Sequence, residues 1–188
     1  HSIRRRQRQM CIRDSLVGET HQELGASELA FMLRDESNGS SGIGKKVPQI
    51  DTERNLSMYR SLTAAMSKEL VSSAHDCSDA GLAAAVAECC FGCDSGASLD
   101  ISPLFYSDNE LDTWGALFGE SLGRILVSVS PGKAQDFEAF MKGHECNFLG
   151  VVKSNDDITF SNATERILTA SMSELRDSWK GTLNGGSN

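Results

Sequence analysis

The sequence predicts an α+β fold, an α/β sandwich in which helices cover a mixed β-sheet. Some short segments alternate apolar and polar residues with the period of a strand, and longer ones repeat apolar residues at helical spacing. These segments alternate only loosely, so that some strands follow one another directly. A length of 188 residues, with 39% hydrophobic side chains, is enough for one domain with its own core.

Charge and cysteine content exclude several classes of partner. The formal net charge is −8, and because residues 1–15 hold five arginines and one aspartate, the remainder carries −12. A body this acidic argues against nucleic-acid binding through phosphate contacts. The longest apolar run is a few residues, too short to cross a membrane. Six cysteines without a secretory signal predict free thiols in a reducing cytoplasm.

The first 15 residues are expected not to be native. The stretch RRRQRQMCIRDS resembles translated sequencing-adapter DNA, and it lacks the apolar region of a secretory signal. We therefore predict that the native chain starts near Leu16, inside a longer gene. The domain is predicted to span residues 16–183, with a flexible tail at 184–188.

The N-terminal part of the domain is predicted to hold a strand and a short helix. Leu16–Val17 is expected to be the stub of a strand. Ser27 is a good N-cap for a helix from Glu28 to about Arg34. The polar, glycine-rich segment 35–46 is typical of a surface loop.

A long helix follows, from Glu53 to about Leu70, with Asp51 or Thr52 as its N-cap. Its apolar side chains recur at spacings of three and four, which predicts a buried stripe. The members of that stripe are Leu56, Tyr59, Leu62, Met66 and Leu70.

The rest of the domain is predicted to alternate strands with amphipathic helices. The expected strands are 70–74, 97–101, 124–130, 146–152 and 158–160. The expected helices are 79–90, 109–118 with Ser107–Asp108 as cap, 133–142 and 172–183.

The most informative stretch joins a strand to a helix at Ser73–Leu82. Asp76 suits a hard cation such as Mg²⁺, and the N–H groups at the start of the following helix suit an anion. This chemistry favours a metal and phosphate site that includes Ser78. The alternative is that Asp76 or Ser78 is only an N-cap.

Two other chemistries have weaker support. The run Cys89-Cys90-x-x-Cys93 has no second ligand pair, so a zinc site is disfavoured. His75 and Asp76 are adjacent to serines, but the sequence has no GxSxG motif of a hydrolase. A third arrangement is a rim for phosphate and Mg²⁺, built from three separated turns: 25–27, 75–78 and 119–121.

Three segments together resemble one family. They are LVGETHQELGASELA, SSAHDCSDAGLAAAVAECCFG followed by GASLDI, and LFGESLGRILVSV. In this order they are similar to the last domain of the phosphoribosylformylglycinamidine synthase family, and the end MSELRDSWKGTL resembles a C-terminus of that family. The resemblance covers most of residues 16–183 and implies the fold of the C-terminal domain of aminoimidazole ribonucleotide synthetase.

The resemblance implies an ATP-dependent C–N ligase of purine biosynthesis, which amidates formylglycinamide ribonucleotide through an iminophosphate. This chain is then a C-terminal fragment, inactive alone and without catalytic residues of its own. The implied cofactors are ATP or ADP and Mg²⁺. The implied partners are the preceding domains, which form a pseudo-dimer with this one, and a glutaminase domain or subunit that supplies ammonia.

The site residues implied by the resemblance fall into three groups. Asp76 is the expected metal ligand. The expected contacts of an auxiliary, vestigial nucleotide site are Ser78, Gly25 and Ser27. The positions that correspond to substrate contacts in the first copy of the unit, expected to be vestigial here, are Gln49, Glu120 and Ser121.

Two positions depart from the family pattern, since Ala26 and Ala80 stand where it usually has glycine. A Cβ at Ala26 narrows a turn that glycine would leave open to a phosphate. Both departures fit a site relieved of catalytic duty. Two alternatives remain open: another ATP-dependent enzyme of the same superfamily, similar to aminoimidazole ribonucleotide synthetase, and a structural domain that binds no ligand.

Overall fold

The fold is a seven-stranded mixed sheet covered by helices, in the order β2-β4-β1-β5-β3-β6-β7. This computed structural model describes residues 12–34, 44, 46–92, 95–106 and 108–183. Neighbouring strands are antiparallel except β3 and β6, which run parallel. The predicted α+β fold is therefore confirmed.

The described part of the chain forms seven strands, six α-helices and two short 3₁₀ helices. The strands are β1 Arg13–Val17, β2 Ser73–Asp76, β3 Gly96–Asp100, β4 Ile125–Val129, β5 Cys146–Lys153, β6 Asp157–Asn162 and β7 Glu165–Ser171. The α-helices are α1 Glu28–Met32, α2 Thr52–Ser67, α3 Gly81–Phe91, α4 Thr113–Phe118, α5 Ala134–Phe140 and α6 Met172–Leu183. Short 3₁₀ helices cover Ser102–Tyr106 and Pro131–Lys133.

The strand β1 lies inside the sheet, between β4 and β5. Leu16 is opposite Leu126 of β4 and Asn147 of β5. The strand begins at Arg13, three residues before the domain boundary expected at Leu16. The non-native origin of residues 1–15 stays a prediction, because pairing within the sheet does not test it.

The two faces of the sheet carry separate apolar clusters, as alternating strand residues require. Leu16 and Leu126 belong to the cluster that also contains buried residues of α3 and α4. Val17 and Val127 point into the other cluster, with buried residues of α2 and α5. Helices therefore cover both faces, which is the arrangement that the sequence predicted.

The buried face of α2 differs from the prediction. Met58, Leu62 and Ala65 are buried, and of the predicted stripe only Leu62 and the following Leu70 are. Leu56, Tyr59 and Met66 are exposed, Leu56 to 51%. Met58, Leu62 and Ala65 also have helical spacing, so periodicity alone does not distinguish the two adjacent faces.

The start of α4 also differs from the prediction, which placed it at residue 109. The helix begins at Thr113, because Asp112 accepts a hydrogen bond from Gly115 N at 2.8 Å and acts as the N-cap. Asp108 instead accepts hydrogen bonds from the backbone N–H groups of Gln22 and Glu110.

Other predictions concern parts of the chain at its loops and edges. β7 was not predicted, because its charged residues mask the alternation expected of a strand. Most of the expected loop 35–46 and the tail 184–188 lie outside the described residues. Within the described part of the chain, no helix has both the length and the apolar character to cross a membrane.

Candidate functional site

The site begins where β2 ends, at Asp76 and Ser78. Both side chains are exposed, and the Ser78 hydroxyl donates a hydrogen bond to the Asp76 carboxylate. This bond, with a second one from the backbone N–H of Asp76 itself, lowers the pKa of that carboxyl below its ordinary value. Asp76 therefore presents a charged oxygen to solvent at neutral pH, one turn before α3.

The interpretation of Asp76 or Ser78 as an N-cap is wrong. The residue before α3 is Ala80, in the left-handed conformation with φ 56°, and no side chain of its own caps the helix. The acceptor beside this helix start is Glu120, whose Oε1 accepts a hydrogen bond from Ala80 N at 2.9 Å. The same oxygen accepts a second one from Glu28 N, also at 2.9 Å, at the first residue of α1.

The two residues of the turn 25–27 that are predicted to contact nucleotide form hydrogen bonds within the protein. Ser27 is buried and is the N-cap of α1, since its hydroxyl accepts from Ala30 N and donates to the carbonyl of Leu24. The N-cap prediction for Ser27 is confirmed. Gly25 donates its N–H to Lys46 O at 2.7 Å, and a Cβ there would lie 2.5 Å from that oxygen.

Ser121, predicted to correspond to a substrate contact, is also buried and engaged. Its hydroxyl accepts a hydrogen bond from His21 N at 3.1 Å and lies 3.4 Å from the carbonyl of the same residue. Hydrogen bonds within the chain thus hold the segments around residues 21–28, 76–81 and 119–124 together. These segments contain the three turns of the predicted rim.

Gln49 lies beside these segments, in the wall of a cavity of about 390 Å³ that His21, Glu23 and Leu122 also line. Its backbone N–H donates to Glu23 Oε1 at 3.0 Å, and its side-chain amide lies 3.3 Å from the carbonyls of Val47 and Pro48. The charged residues of the cavity wall are Glu19, Glu23, Lys46, Asp51 and Arg54, and His21 also lines the cavity. Ion pairs link Arg54 to Glu19 and Asp51, so the cavity has mixed charge.

Arg124 is a structural residue of the site that the sequence reasoning did not single out. It is only 1% exposed, and its guanidinium donates to the carbonyls of Ala116 and Gly119 and to Thr20 Oγ1. Burial lowers its pKa, while the negative charge of Glu23 acts in the opposite direction. A lone arginine directly before an apolar strand was the available clue.

Two buried atoms near this arginine lack a hydrogen-bond partner among the described residues. They are Oε2 of Glu23 and Nε of Arg124, an acceptor and a donor. Glu23 is 4% exposed, so its carboxylate is held in a region of low dielectric. The attraction between these opposite charges contributes to holding residues 20–23 against the segment 119–124.

The other chemistries considered from sequence find no support in the geometry. Burial raises the pKa of the Cys77 thiol to about 11, which suppresses its thiolate. His75 Nε2 lies 2.7 Å from Glu88 Oε2. Cys89 is half-buried and Cys90 is buried in α3, and Cys93 lies outside the described residues.

Metal binding must be judged on Asp76 alone. Among the described residues, no group of three or more His, Cys, Asp and Glu side chains is arranged to hold a metal ion. Mg²⁺ in nucleotide sites commonly takes one or two carboxylates and completes its shell with phosphate oxygens and water. A single exposed, charged carboxylate therefore fits Mg²⁺ that arrives with a nucleotide, and it does not fit a metal bound by protein alone.

The two alanines that replace glycine both have left-handed backbones, with φ 60° at Ala26 and φ 56° at Ala80. A Cβ costs about 1–2 kcal/mol in this conformation, whereas glycine costs about 0.4–1 kcal/mol through the unfolded chain. We expect Ala26→Gly and Ala80→Gly each to raise the free energy of unfolding, by about 0.5–1 kcal/mol. Urea denaturation followed by circular dichroism measures the change.

A control for this prediction is Ala84→Gly, in the interior of α3, where glycine is expected to cost about 1 kcal/mol. Opposite signs for Ala80→Gly and Ala84→Gly would show that backbone conformation decides the effect. A loss of stability in both Ala26→Gly and Ala80→Gly would contradict the prediction.

Known structures share this fold. PurL from Thermotoga maritima, complexed with FGAR, matches with a TM-score of 0.76 and 16% identity, over 89% of this chain and 28% of that one. Phosphoribosylformylglycinamidine synthase II from T. maritima matches with 0.70 and 17%, over 89% and 26%. Escherichia coli HypE, a hydrogenase maturation protein, matches with 0.59 and 14%, over 88% and 50%.

At these identities the structural matches show the fold. The chain spans about a quarter of the length of the PurL proteins that it resembles. The family of AIR synthase related proteins, through its C-terminal domain, matches residues 16–161 in sequence. That match covers well over half of the chain, from β1 to β6, and includes all three turns of the site. The chain therefore belongs to the family of AIR synthase related proteins, as a C-terminal domain.

Proposed function

We propose that this chain is the C-terminal part of a phosphoribosylformylglycinamidine synthase and that Asp76 and Ser78 contribute to an auxiliary Mg²⁺-nucleotide site. The observation that carries the proposal is the exposed, hydrogen-bonded pair of Asp76 and Ser78 at the start of α3. The other residues expected at the nucleotide, Gly25 and Ser27, are packed inside the protein. Their packing supports an auxiliary role over a catalytic one.

The chemistry of the two side chains suits this role. Mg²⁺, when bound with a nucleotide, neutralises the charge of the phosphates. Asp76 would hold the metal, since its lowered pKa keeps the carboxylate charged at neutral pH. Ser78 would turn its hydroxyl from Asp76 to a nucleotide oxygen. T. maritima PurL, which has this fold, has been solved with ATP and with ADP.

The amidation activity is proposed for the longer protein. The reaction is the ATP-dependent formation of a C–N bond on formylglycinamide ribonucleotide, with ammonia from a glutaminase domain or subunit. We place the protein in the cytoplasm, in keeping with the free thiols of Cys77 and Cys146.

An exposed apolar surface supports the proposal of partner domains that precede this one. The end of α1 exposes Phe31 to 54%, Met32 to 77% and Leu33 to 68%. Ile50 and Leu56, around the start of α2, are also more than half exposed. Apolar side chains in such number favour a covering domain, and relatives of more than three times this length have the residues to supply it.

A second candidate is another ATP-dependent enzyme of the superfamily, because E. coli HypE matches with a TM-score of 0.59 and this chain covers half of it. The PurL structures match with higher scores, up to 0.76. The motifs HDCSDAGL around Asp76 and LFGES around Glu120 also favour the synthase.

Isothermal titration of the 188-residue chain with MgADP tests the nucleotide site. We expect the parent chain to bind MgADP and Asp76→Asn to bind it at least about tenfold more weakly, since the neutral amide is a poor Mg²⁺ ligand. At 100-fold saturation, bound nucleotide stabilises the native state by about 2.7 kcal/mol, so the melting temperature of the parent chain should rise.

The matched control is Asp136→Asn, an exposed aspartate in the first turn of α5, which should bind as the parent chain does. If the parent chain shows neither heat of binding nor a shift in melting temperature, the nucleotide site is refuted and the domain is structural. Equal affinity in Asp76→Asn and the parent chain would refute the role of Asp76.

A further inference from the structure

Two helices of the domain begin at the same carboxylate oxygen. Glu120 Oε1 lies 2.9 Å from Glu28 N, the first residue of α1, and 2.9 Å from Ala80 N, directly before α3. A carboxylate that accepts two backbone N–H groups at a helix start forms charge-assisted bonds, which are about twice as strong as neutral ones. The two helices are far apart in sequence, so this single side chain links their first turns.

The segment that carries Glu120 is itself fixed. The backbone N–H of Glu120 lies 3.4 Å from Glu23 O, Ser121 is bonded to His21, and the buried Arg124 donates to Gly119 O. These hydrogen bonds therefore hold the backbone that carries the Glu120 carboxylate in place.

The turn that holds Asp76 and Ser78 depends on this segment. Cys77 N donates to Arg124 O at 3.0 Å, and Ala80 N donates to Glu120 Oε1. One anchor lies on each side of Ser78. The first is a bond between backbones, and the second is made by a side chain, so only the second can be removed by substitution.

Strain acts against the second anchor. Ala80 has a left-handed backbone, and Ala26, which precedes the N-cap of α1, has the same conformation. Such residues persist only where surrounding contacts hold them, so both turns have a reason to relax if the carboxylate is lost. The two strained turns are the ones whose helices share Glu120.

We propose that Glu120 is a positioning residue that couples the start of α1 to the turn of Asp76 and Ser78, so that both turns depend on one carboxylate for their conformation. The substrate-like contact expected for Glu120 from sequence stays a separate prediction. The inference deepens the proposed nucleotide site and rests on that function for its purpose, but the coupling itself exists in the ligand-free chain. Glu120 thereby links α1, whose end is apolar and exposed, to the proposed nucleotide site.

Amide hydrogen exchange of the ligand-free 188-residue chain, read by mass spectrometry, tests the coupling. In Glu120→Ala we expect exchange to rise about tenfold or more in two peptides, 24–30 and 78–83, because both N–H groups lose their acceptor. Glu120→Gln should fall between Glu120→Ala and the parent chain, since the amide oxygen is an uncharged acceptor. Glu53→Ala, which removes an exposed glutamate from the first turn of α2, should leave both peptides unchanged.

Each outcome decides the inference. A rise in both peptides, with partial rescue by glutamine, supports it. A rise in only one peptide, no rise, equal exchange in Glu120→Gln and Glu120→Ala, or a uniform rise that includes β4 overturns it. MgADP titration of the parent chain reports separately on the proposed function, so absence of nucleotide binding with coupled exchange refutes that function and leaves the coupling intact.

Discussion

Arg124→Ala should lower the free energy of unfolding by about 3 kcal/mol or more. The substitution leaves the carbonyls of Ala116 and Gly119 without their donor in a buried region. It also removes a positive charge that acts on Glu23, whose buried carboxylate then has less opposite charge to offset its desolvation. These losses outweigh the gain from no longer burying a charged guanidinium. That burial has a cost, since it lowers the pKa of Arg124.

Urea denaturation measures this effect, with two variants that separate its causes. Arg124→Met keeps much of the side-chain volume but no donor, so it should remain at least about 2 kcal/mol below the parent chain. Arg166→Ala, at an exposed position of β7, should change stability by no more than about 0.5 kcal/mol. If Arg124→Met proves as stable as the parent chain, packing rather than hydrogen bonding explains the burial of Arg124.

Gly81→Ala should be the second severe substitution, with an expected loss of at least about 2 kcal/mol. Gly81 has φ 66°, and a Cβ there would lie 3.0 Å from the carbonyl oxygen of Leu117 and closer still to that of Gly119. Backbone atoms at the end of α4 cannot rotate away as a side chain can. The first turn of α3 must therefore separate from α4, and differential scanning calorimetry should show a lower melting temperature.

Gly132→Ala is the matched control for this substitution. Its Cβ would meet nothing within 4 Å, and its φ is not in the left-handed range. Its stability should stay within about 0.5 kcal/mol of the parent chain. Similar melting temperatures for Gly81→Ala and the parent chain would show that the contact between α3 and α4 yields at little cost.

Local patterns predicted most of the fold. The starts of β4, α1 and α2 were predicted to within one residue. The apolar alternation of β4 and the N-cap residues Ser27 and Asp51 sufficed, because strand period and capping chemistry are local properties. The grouping of the three turns was proposed from their shared small and polar residues, but the contact between Glu120 and Ala80, 40 residues apart, was not predicted.

Choices that depend on tertiary contacts were beyond the sequence. α2 has two apolar faces of helical spacing, and only the packing of Met58 and Leu62 against the sheet decides between them. Glu120 presents the same difficulty at the site, because a glutamate in a turn does not reveal which N–H groups it will accept. The sequence also predicted a cap at Asp76 or Ser78 as the alternative to a site, and the acceptor came instead from Glu120.

The position of β1 inside the sheet has a consequence for the order of folding. Leu16 pairs with Leu126 and Asn147, so both neighbours of this strand are made more than 100 residues later. Contacts of such sequence separation slow folding, because a long loop must close before they form. During synthesis, one edge of β1 therefore stays unpaired until β4 leaves the ribosome, and the other edge until β5 does.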